Sequence, residues 1–295
     1  MTVFLAAAEL GSFSKASRQL GVPLATISRK MTDLETYLRA ALFIRSAKGL
    51  ELTPTGRSYA TSARAILEQV VEAERTAAGE YSEPKGDLVV TAPIMFGRLH
   101  VLPVVTQFLA SFPEVAVGLV LTDRVAHLLD DQVDVALRVG DLPDSNLVAV
   151  RLGSIRRVMC GSPEYLDAHG EPSELDDLAS HSVISFDSIT ASVRWSFWSD
   201  GEEIHTPIRP RLSVNTIDAA IDAGLSGAGL VRAMSYQVVE YVRQQRLRVV
   251  LEQFEPEALP VHLVYDRQRR LPLKLRTFVD FVMPRLRERM MEATL

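Results

Sequence analysis

Apolar residues at helical spacing predict two short helices in the first 20 residues of the chain. The first is indicated by a stripe that consists of Val3, Phe4, Ala7 and Ala8. Gly11 interrupts this pattern, and Ser12 or Ser14 can then cap a second helix that ends near Leu20.

A longer apolar stripe predicts a third helix that runs to about Tyr37. Its inward positions, spaced by four, three and four residues, are Ile27, Met31, Leu34 and Leu38. Pro23 suits the first turn of this helix, where its missing N–H costs nothing. Because a short turn with Gly21 separates the second and third helices, the pair predicts a helix-turn-helix.

Alternating spacing then predicts a small β-hairpin over residues 41–55, with Gly49 at its turn and Pro54 at its end. Helical spacing returns and predicts one long helix from Thr55 to Tyr81. Its apolar positions are Tyr59, Ala63, Ile66, Leu67 and Val70. Such a stripe is buried either against a partner chain or against the protein's own body, and the sequence leaves both open.

Residues 82–86 indicate a linker, after which strand and helix patterns alternate. The predicted strands are 88–92, 115–121, 133–139, 148–152, 157–160, 183–186, 195–198, 211–214, 229–231, 247–250 and 261–265. The main predicted helices are 98–110, 216–225, 235–245 and 273–289. This alternation predicts an α/β body with mostly parallel sheets.

The charge distribution changes what the net charge suggests. The chain carries −5 overall, which by itself argues against a nucleic-acid binder. Residues 1–57, however, hold eight basic and four acidic residues, so this segment carries +4 and the remainder −9. A basic N-terminal segment on an acidic body is typical of a DNA-binding protein, although a solvated helical face gives the same count.

Hydroxyl and basic side chains on the outer face of the third helix are suited to the major groove and to phosphates. Lys48 lies at the predicted hairpin tip, where a wing touches DNA, and the hydroxyls of Ser14 and Thr53 serve either phosphates or local caps. The candidate DNA-contacting residues are Ser14, Thr26, Ser28, Arg29, Lys30, Arg45, Lys48 and Thr53.

Several short motifs occur along the chain in a regular order and spacing. In the N-terminal segment these are FLAAAELGSFSKASRQL at 4–20, ISRK at 27–30, LE at 34–35, LFIR at 42–45 and LTPTG at 52–56. In the body they are TAP at 91–93 with FG at 96–97, FLASFP at 108–113, DVALRVG at 134–140, SPEYL at 162–166, Gly224 with GAG at 227–229, and FVDF at 278–281. Together these motifs resemble the LysR family of transcriptional regulators. Three positions depart from the family's pattern: Pro23 and Leu24 replace polar residues, and Arg39 stands where glycine is common.

The resemblance implies a mixed fold class. It comprises an all-α winged helix-turn-helix domain at 1–57, a dimerisation helix and linker at 58–86, and an α/β effector domain at 87–295. That domain would consist of two Rossmann-like subdomains similar to periplasmic binding proteins, at 87–161 with 266–295 and at 162–265. The chain would cross between them near 160–162 and near 262–265.

The implied function is a sequence-specific, non-enzymatic transcriptional regulator that a small effector controls. The implied partners are double-stranded DNA with a palindromic promoter site, a second copy in a homodimer that assembles into a homotetramer, and RNA polymerase. A solute-binding protein or an enzyme built on the α/β body is the alternative from another class.

Ligands of open α/β sheets bind at the carboxyl ends of strands, where helix N-termini offer free N–H groups. The candidate effector residues at such ends are Pro93, Met95, Phe96, Arg98, Arg138, Asn215 and Thr216. Alternatively, Met95 and Phe96 belong to the core and Arg138 pairs with a carboxylate. A lining that is partly apolar and partly cationic favours a small carboxylic or aromatic acid.

Other classes of chemistry find little support in the sequence. Six histidines lack metal-ligand spacing, the lone Cys160 excludes an internal disulfide, and GLSGAG at 224–229 lacks the final glycine of G-x-S-x-G. We therefore expect no metal, cofactor or catalytic site. The absence of a signal-peptide pattern at Met1–Leu10, and an uncharged stretch at 99–113 too short and polar to span a bilayer, predict a cytoplasmic protein.

Overall fold

A computed structural model describes residues 1–46, 49–77, 83–123, 133–143, 147–186, 193–199, 201–266 and 271–293. The chain begins with three helices, a hairpin and a long helix, as the spacing predicted. Their bounds are α1 Thr2–Leu10, α2 Phe13–Leu20, α3 Leu24–Leu38, β1 Phe43–Ser46, β2 Gly49–Leu52 and α4 Pro54–Ala77. The unit of α1, α2, α3 and the β1–β2 hairpin is called the head below.

The head is organised around a small apolar core. Its fully buried side chains include Phe4, Ala7, Ala16, Ile27 and Leu42. The hairpin is fixed to the helices by a hydrogen bond from the Leu50 N–H to the Gly11 carbonyl, at 3.1 Å. Gly11 ends α1 in the left-handed region, at φ 58°, where glycine carries no side-chain penalty.

The long helix α4 divides its apolar residues between two environments. Tyr59, Ala63 and Leu67 pack against the head core, whereas Ile66 and Val70 are exposed by 43% and 46%. Val71 is exposed as well. The helix starts one residue before the predicted start and is described to Ala77, and the rest of the predicted span, 78–81, lies outside the described residues. The head therefore buries part of the stripe, and burial of the exposed residues against a partner chain stays a prediction.

Two five-stranded sheets form the body. The first has the strand order β4-β3-β5-β14-β6. Its strands are β3 Gly86–Ala92, β4 Val115–Leu121, β5 Val135–Val139, β6 Leu147–Ile155 and β14 Leu259–Asp266. It is covered by a continuous helix made of α5 Ile94–Phe96, a π-helical segment Gly97–Val101 and α6 Leu102–Ser111, and by α10 Leu273–Glu292. This sheet and its helices are the first subdomain.

The second sheet has the order β11-β8-β12-β7-β13 and forms the second subdomain with its helices. Its strands are β7 Arg157–Gly161, β8 Val183–Ser185, β11 Leu212–Ser213, β12 Leu230–Met234 and β13 Arg248–Val250. The helices are α7 Pro163–His169, α8 Ile217–Leu225 and α9 Ser235–Arg243, with 3-10 turns at Leu175–Ala179 and Glu252–Phe254. A separate ribbon pairs β9 Val193–Ser199 with β10 Glu202–Ile208. The sequence had not predicted β10, whose residues are mostly polar and exposed.

Two expectations about the sheets were wrong. The sheets are not mostly parallel, because β14 runs antiparallel to β5 and β6, and β7 antiparallel to β12 and β13. The crossings also lie elsewhere. The chain leaves the first sheet at Ile155 and enters the second at Arg157, and it returns between Val250 and Leu259. The predicted crossings at 160–162 and 262–265 instead overlap strands β7 and β14. The sequence did not reveal the change of sheet because no glycine or proline stands at Arg156.

One described stretch, Ile94–Ser111, is long and apolar enough to cross a membrane, with a mean hydropathy of 1.3 over 18 residues. In the structure this stretch is the helix that covers the first sheet. Phe96, Val104 and Phe108 are buried in the core of the first subdomain. Its apolar composition is therefore explained by packing within the protein.

Candidate nucleic-acid interface and ligand cleft

The outer face of α3 carries the cations that the sequence singled out. Arg29 and Lys30 are exposed, while Thr26 and Ser28 are half-buried beside them. The inward residues Ile27 and Met31 are buried in the head core. The core therefore holds α3 by one face and leaves its basic face open to solvent.

A carboxylate fixes α3 relative to the hairpin. Glu35 Oε1 accepts hydrogen bonds from the backbone N–H groups of Leu42 and Phe43, at 2.7 and 3.1 Å. The helix ends at Arg39, which adopts the left-handed conformation at φ 52°. This conformation explains why glycine is common at the position, since a Cβ is unfavourable there.

The two hydroxyls with alternative roles have different environments. Ser14 is exposed on the first turn of α2, whereas the cap of α2 is Ser12, whose Oγ accepts from the Lys15 N–H at 3.3 Å. Thr53 is engaged locally: its Oγ1 accepts from the Gly56 N–H at 2.8 Å and donates to the Ala41 carbonyl at 2.7 Å. These bonds identify Thr53 as a cap of α4.

The predicted wing residues are described in part. The backbone of Arg45 lies on β1, and its side chain is outside the described residues, as is the whole of Lys48. The hairpin itself is two-stranded and antiparallel, with Ser46 opposite Gly49.

A cleft of about 440 Å³ is lined by residues from both subdomains. The first subdomain and its adjoining loops contribute Pro93, Ile94, Met95, Asp123 and Val139. The second contributes Arg157, Phe186, Asn215, Thr216, Ile217, Asp218, Arg232, Ala233, Met234, Tyr236 and Gln237. Its volume is within the range of sites for small organic molecules.

Four of the seven residues predicted for the cleft lie in its lining: Pro93, Met95, Asn215 and Thr216. The other three lie elsewhere. Phe96 is fully buried behind the cleft, with its ring 5.4 Å from that of Tyr236. Arg98 forms an ion pair with Asp218 at 2.8 Å, which joins the two subdomains at the mouth of the cleft. Arg138 lies on β5, in register with His262 of β14, and does not line the cavity.

Two arginines that the sequence did not single out face the cleft. In the antiparallel pair β7–β12, Arg157 lies opposite Met234 and Arg232 opposite Met159, which places both guanidinium groups on one face. Arg232 lies over the Trp195 ring at 4.6 Å and donates to the Ser196 carbonyl at 3.2 Å. The pattern of a strand shows which face a residue occupies, but not that this face borders a cavity.

Carboxylates and a phenol complete the polar lining. Asp123 Oδ1 accepts from the Ile94 N–H at 3.0 Å, at the start of the helix that covers the first sheet. Tyr236 accepts a hydrogen bond from Gln237 Nε2 at 3.2 Å. Burial raises the pKa of Tyr236 above its ordinary value, with smaller contributions from Asp123 and Asp218, so its phenol stays neutral and able to donate.

His100 lies beneath the cleft, on the π-helical segment. Its ring is 5.1 Å from that of Phe96 and 5.5 Å from that of Tyr236, and 8% of the residue is exposed. Burial, followed by the positive charge of Arg289, lowers the pKa of His100 to about 4. Neither ring nitrogen has a hydrogen-bond partner among the described residues, so the neutral imidazole packs as an aromatic ring.

Metal-binding and thiol chemistry find no support in the described part of the chain. No group of three or more His, Cys, Asp or Glu side chains there could hold a metal ion. Cys160 is buried, and this burial raises the pKa of its thiol to about 12, which disfavours the reactive thiolate.

Comparison with known proteins gives consistent matches for both parts of the chain. Residues 1–57 match the model of the bacterial regulatory helix-turn-helix protein of the lysR family, and residues 82–287 match that of the LysR substrate binding domain. A relative from Xanthomonas campestris pv. campestris, an HTH-type transcriptional regulator, is 34% identical over 96% of this chain and 84% of its own length.

Two solved structures extend this similarity to the fold. CrgA, a LysR-type transcriptional regulator from Neisseria meningitidis, is 30% identical with a TM-score of 0.62, and 97% of each chain is covered. Full-length LysG from Corynebacterium glutamicum, with its bound effector Arg, has a TM-score of 0.69 at 20% identity. The alignment with LysG covers 97% of this chain and 96% of that one, and it bears on the fold alone.

Proposed function

The chain belongs to the LysR family of bacterial transcriptional regulators, and we propose that it binds a palindromic promoter site through α3 and responds to a small organic acid in the cleft between its subdomains. One observation carries this proposal: α3 is held by buried Ile27 and Met31 and presents Arg29 and Lys30 to solvent. Exposed cations on the second helix of a helix-turn-helix are placed for the major groove and its phosphates.

The DNA-contacting set we propose is centred on Arg29 and Lys30. Thr26 and Ser28 flank them. Ser14 would contact the DNA phosphate backbone from α2, and Arg45 and Lys48 would contact DNA from the wing. Thr53 contributes indirectly, because its hydroxyl caps α4 and orders the end of the hairpin. Phosphate contacts fix the register of the protein, and contacts to base edges confer sequence preference.

The assembly we propose is a homodimer through α4, two of which form a homotetramer. The apolar side chains of Ile66, Val70 and Val71 are exposed on that helix, and a second copy of α4 would bury them. A two-fold dimer requires a palindromic site with half-sites about one helical turn apart, or a multiple of it. The working division is 1–57 for DNA binding, 58–86 for dimerisation and 87–295 for the effector.

The effector we propose carries a carboxylate and an apolar or aromatic portion. Arg157 and Arg232 face the cleft from adjacent strands and would hold the carboxylate. Met95, Phe186 and Met234 would cover the apolar portion. Binding would shift the population of two arrangements of the body and thereby change the spacing of the DNA-binding units. We propose that the protein acts in the cytoplasm, with RNA polymerase as a further partner.

Sequencing of genomic fragments retained by the pure full-length protein at physiological salt tests the DNA-binding part. The expected fragments share an inverted repeat with the spacing given above. Random retention of fragments would contradict the proposal. The genes next to the retained fragments would also narrow the chemical class of the effector.

A melting-temperature screen with carboxylic and aromatic acids tests the effector part. A compound that binds the folded protein raises its melting temperature by mass action. We expect Arg157→Gln to abolish the shift and Arg194→Gln, an exposed arginine on β9, to retain it. Hits confined to organic cations would contradict the assignment of an acid.

A further inference from the structure

Two short segments connect the subdomains, and they are held to each other. Arg156 alone separates β6 from β7, and residues 251–258 lead from β13 back to β14. Within the second segment, Glu252 and Glu255 extend toward Arg156. The two covalent links between the subdomains therefore meet at one side chain.

The contact between these links is an ion pair with two parallel hydrogen bonds. Arg156 Nε donates to Glu255 Oε2 at 2.7 Å, and Arg156 Nη2 donates to Glu255 Oε1 at 2.8 Å. The same Nη2 donates to Glu252 Oε2 at 2.8 Å. The Glu255 side chain is 11% exposed and that of Arg156 30%, so water screens this contact little. These bonds also hold the pKa of Arg156 above its ordinary value.

A second pair of hydrogen bonds ties the same residue to the start of α9. The Arg156 N–H donates to Ser235 Oγ at 3.2 Å, and the Ser235 N–H donates to the Arg156 carbonyl at 2.8 Å. Ser235 is buried. The neighbours of these two residues in sequence line the cleft: Arg157, Met234, Tyr236 and Gln237.

We propose that Arg156, Glu255 and Ser235 form a hinge node that sets the angle between the subdomains and positions the cleft residues on either side of it. None of the three belongs to the lining of the 440 Å³ cleft, so they are positioning residues and not ligand contacts. The importance of this geometry for an effector rests on the proposed function. The hinge itself does not, since it concerns the relative orientation of two parts of one chain.

A second ion pair between the subdomains, at the mouth of the cleft, is more exposed than the one at the hinge. There the subdomains are joined by Arg98 and Asp218, whose side chains are 56% and 44% exposed. An exposed ion pair of this kind contributes little and is screened by salt. Of these two ion pairs, the one at the hinge is therefore the better shielded from water, which favours rotation about the node over sliding.

Distances between spin labels on the two subdomains test the node in the full-length protein. We place cysteines at Thr106 on α6 and Asp222 on α8, both exposed, in a Cys160→Ala background. Glu255→Gln keeps the shape of the side chain and removes its charge. We expect this variant and Arg156→Gln to broaden the distance distribution to roughly twice its wild-type width, because the subdomains would sample a wider range of angles without the ion pair.

Two control variants separate a hinge effect from lost stability. Val282→Ala removes buried volume in the core of the first subdomain, and Arg98→Gln breaks the pair at the mouth. Both should keep the wild-type width, the first even when its melting temperature falls as far as that of Glu255→Gln. An unchanged width in Glu255→Gln, or equal broadening in Val282→Ala, overturns the proposal. The measurement uses neither DNA nor effector, so its failure would leave the proposed function standing.

Discussion

The head and the cleft assemble their chemistry in opposite ways. The candidate DNA surface takes Arg29 and Lys30 from consecutive positions of one helix, and both side chains are exposed. The cleft takes Arg157 and Arg232 from two strands that lie 75 residues apart in the sequence and meet through an antiparallel register. Local helical order therefore creates the first surface, whereas the second exists only after both subdomains are folded and joined.

The difference also concerns how charge is used. In the head the basic face of α3 is left open, and the nearby carboxylate of Glu35 is occupied by backbone N–H groups. In the body, Asp218 is already paired with Arg98, and Glu252 and Glu255 with Arg156. Open charge suits a polyanion that arrives from solvent, while paired charge keeps a cavity in shape.

Removal of the open charge on α3 should give the largest effect. For Arg29→Ala with Lys30→Ala we expect a loss of about 2 to 6 kcal/mol in DNA binding per protomer, at least roughly 30-fold in Kd. A gel shift on a retained fragment measures this. The melting temperature should not change, because both side chains are exposed.

A matched variant shows whether position or charge alone matters. Arg209→Ala with Arg276→Ala removes two exposed cations from the body. This variant should bind DNA as the wild type does. An equal loss of affinity in both variants would mean that the net charge of the chain, not the face of α3, governs binding.

The next largest effect is the pH dependence of stability that arises from His100, which is buried in the body. The folded pKa of His100 is about 4, against 6.5 for an unperturbed histidine, so the unfolded chain takes up the proton first as the pH falls. Stability should therefore be lost from about pH 6.5 down to pH 4, by about 3 kcal/mol for this group. His100→Leu should flatten that part of the curve in urea unfolding. His205→Leu, at an exposed histidine, is the control and should leave the slope unchanged.

A close backbone contact between α4 and the residue before β1 gives a smaller effect. A Cβ on Gly56 would lie 2.0 Å from the Leu42 carbonyl oxygen, which is backbone and cannot move aside. Gly56→Ala should cost about 1 to 3 kcal/mol by overpacking, measured by urea unfolding of the full chain. Gly118→Ala is the matched control, because its Cβ meets nothing closer than 3.8 Å. Equal stability of the two variants would show that the contact relaxes.

The smallest effect has the opposite sign. Arg39 ends α3 at φ 52°, where glycine is favoured, so Arg39→Gly should stabilise the head by about 0.5 to 1 kcal/mol. Arg18→Gly, in the last turn of α2 but still within the helix, should instead destabilise it by up to about 1 kcal/mol. Thermal unfolding of both variants checks the signs. A loss of stability in Arg39→Gly would mean that the arginine side chain makes a compensating contact.

The head could be predicted in detail because its order is local. The spacing of Ile27 and Met31, the turn at Gly21 and the hairpin turn at Gly49 each act within a few residues. The cap of α4 shows the limit of such reasoning. Thr53 was a candidate for phosphate contact or for a cap, and its bonds to Ala41 and Gly56 identified the cap.

By itself the sequence determined the helices and strands of the head, most of those of the body, the basic face of α3 and, through its motifs, the family. Helical and alternating periodicity and short-range turns depend on neighbouring residues, which is why they could be predicted. The tertiary structure alone decided which sheet β7 and β14 join, that Arg157 and Arg232 face one cleft, and that Phe96 and Arg138 do not. The physical reason is that the sequence pattern of a strand determines its two faces but not which strands it pairs with. Pairing depends on register and on packing between segments that are distant in sequence.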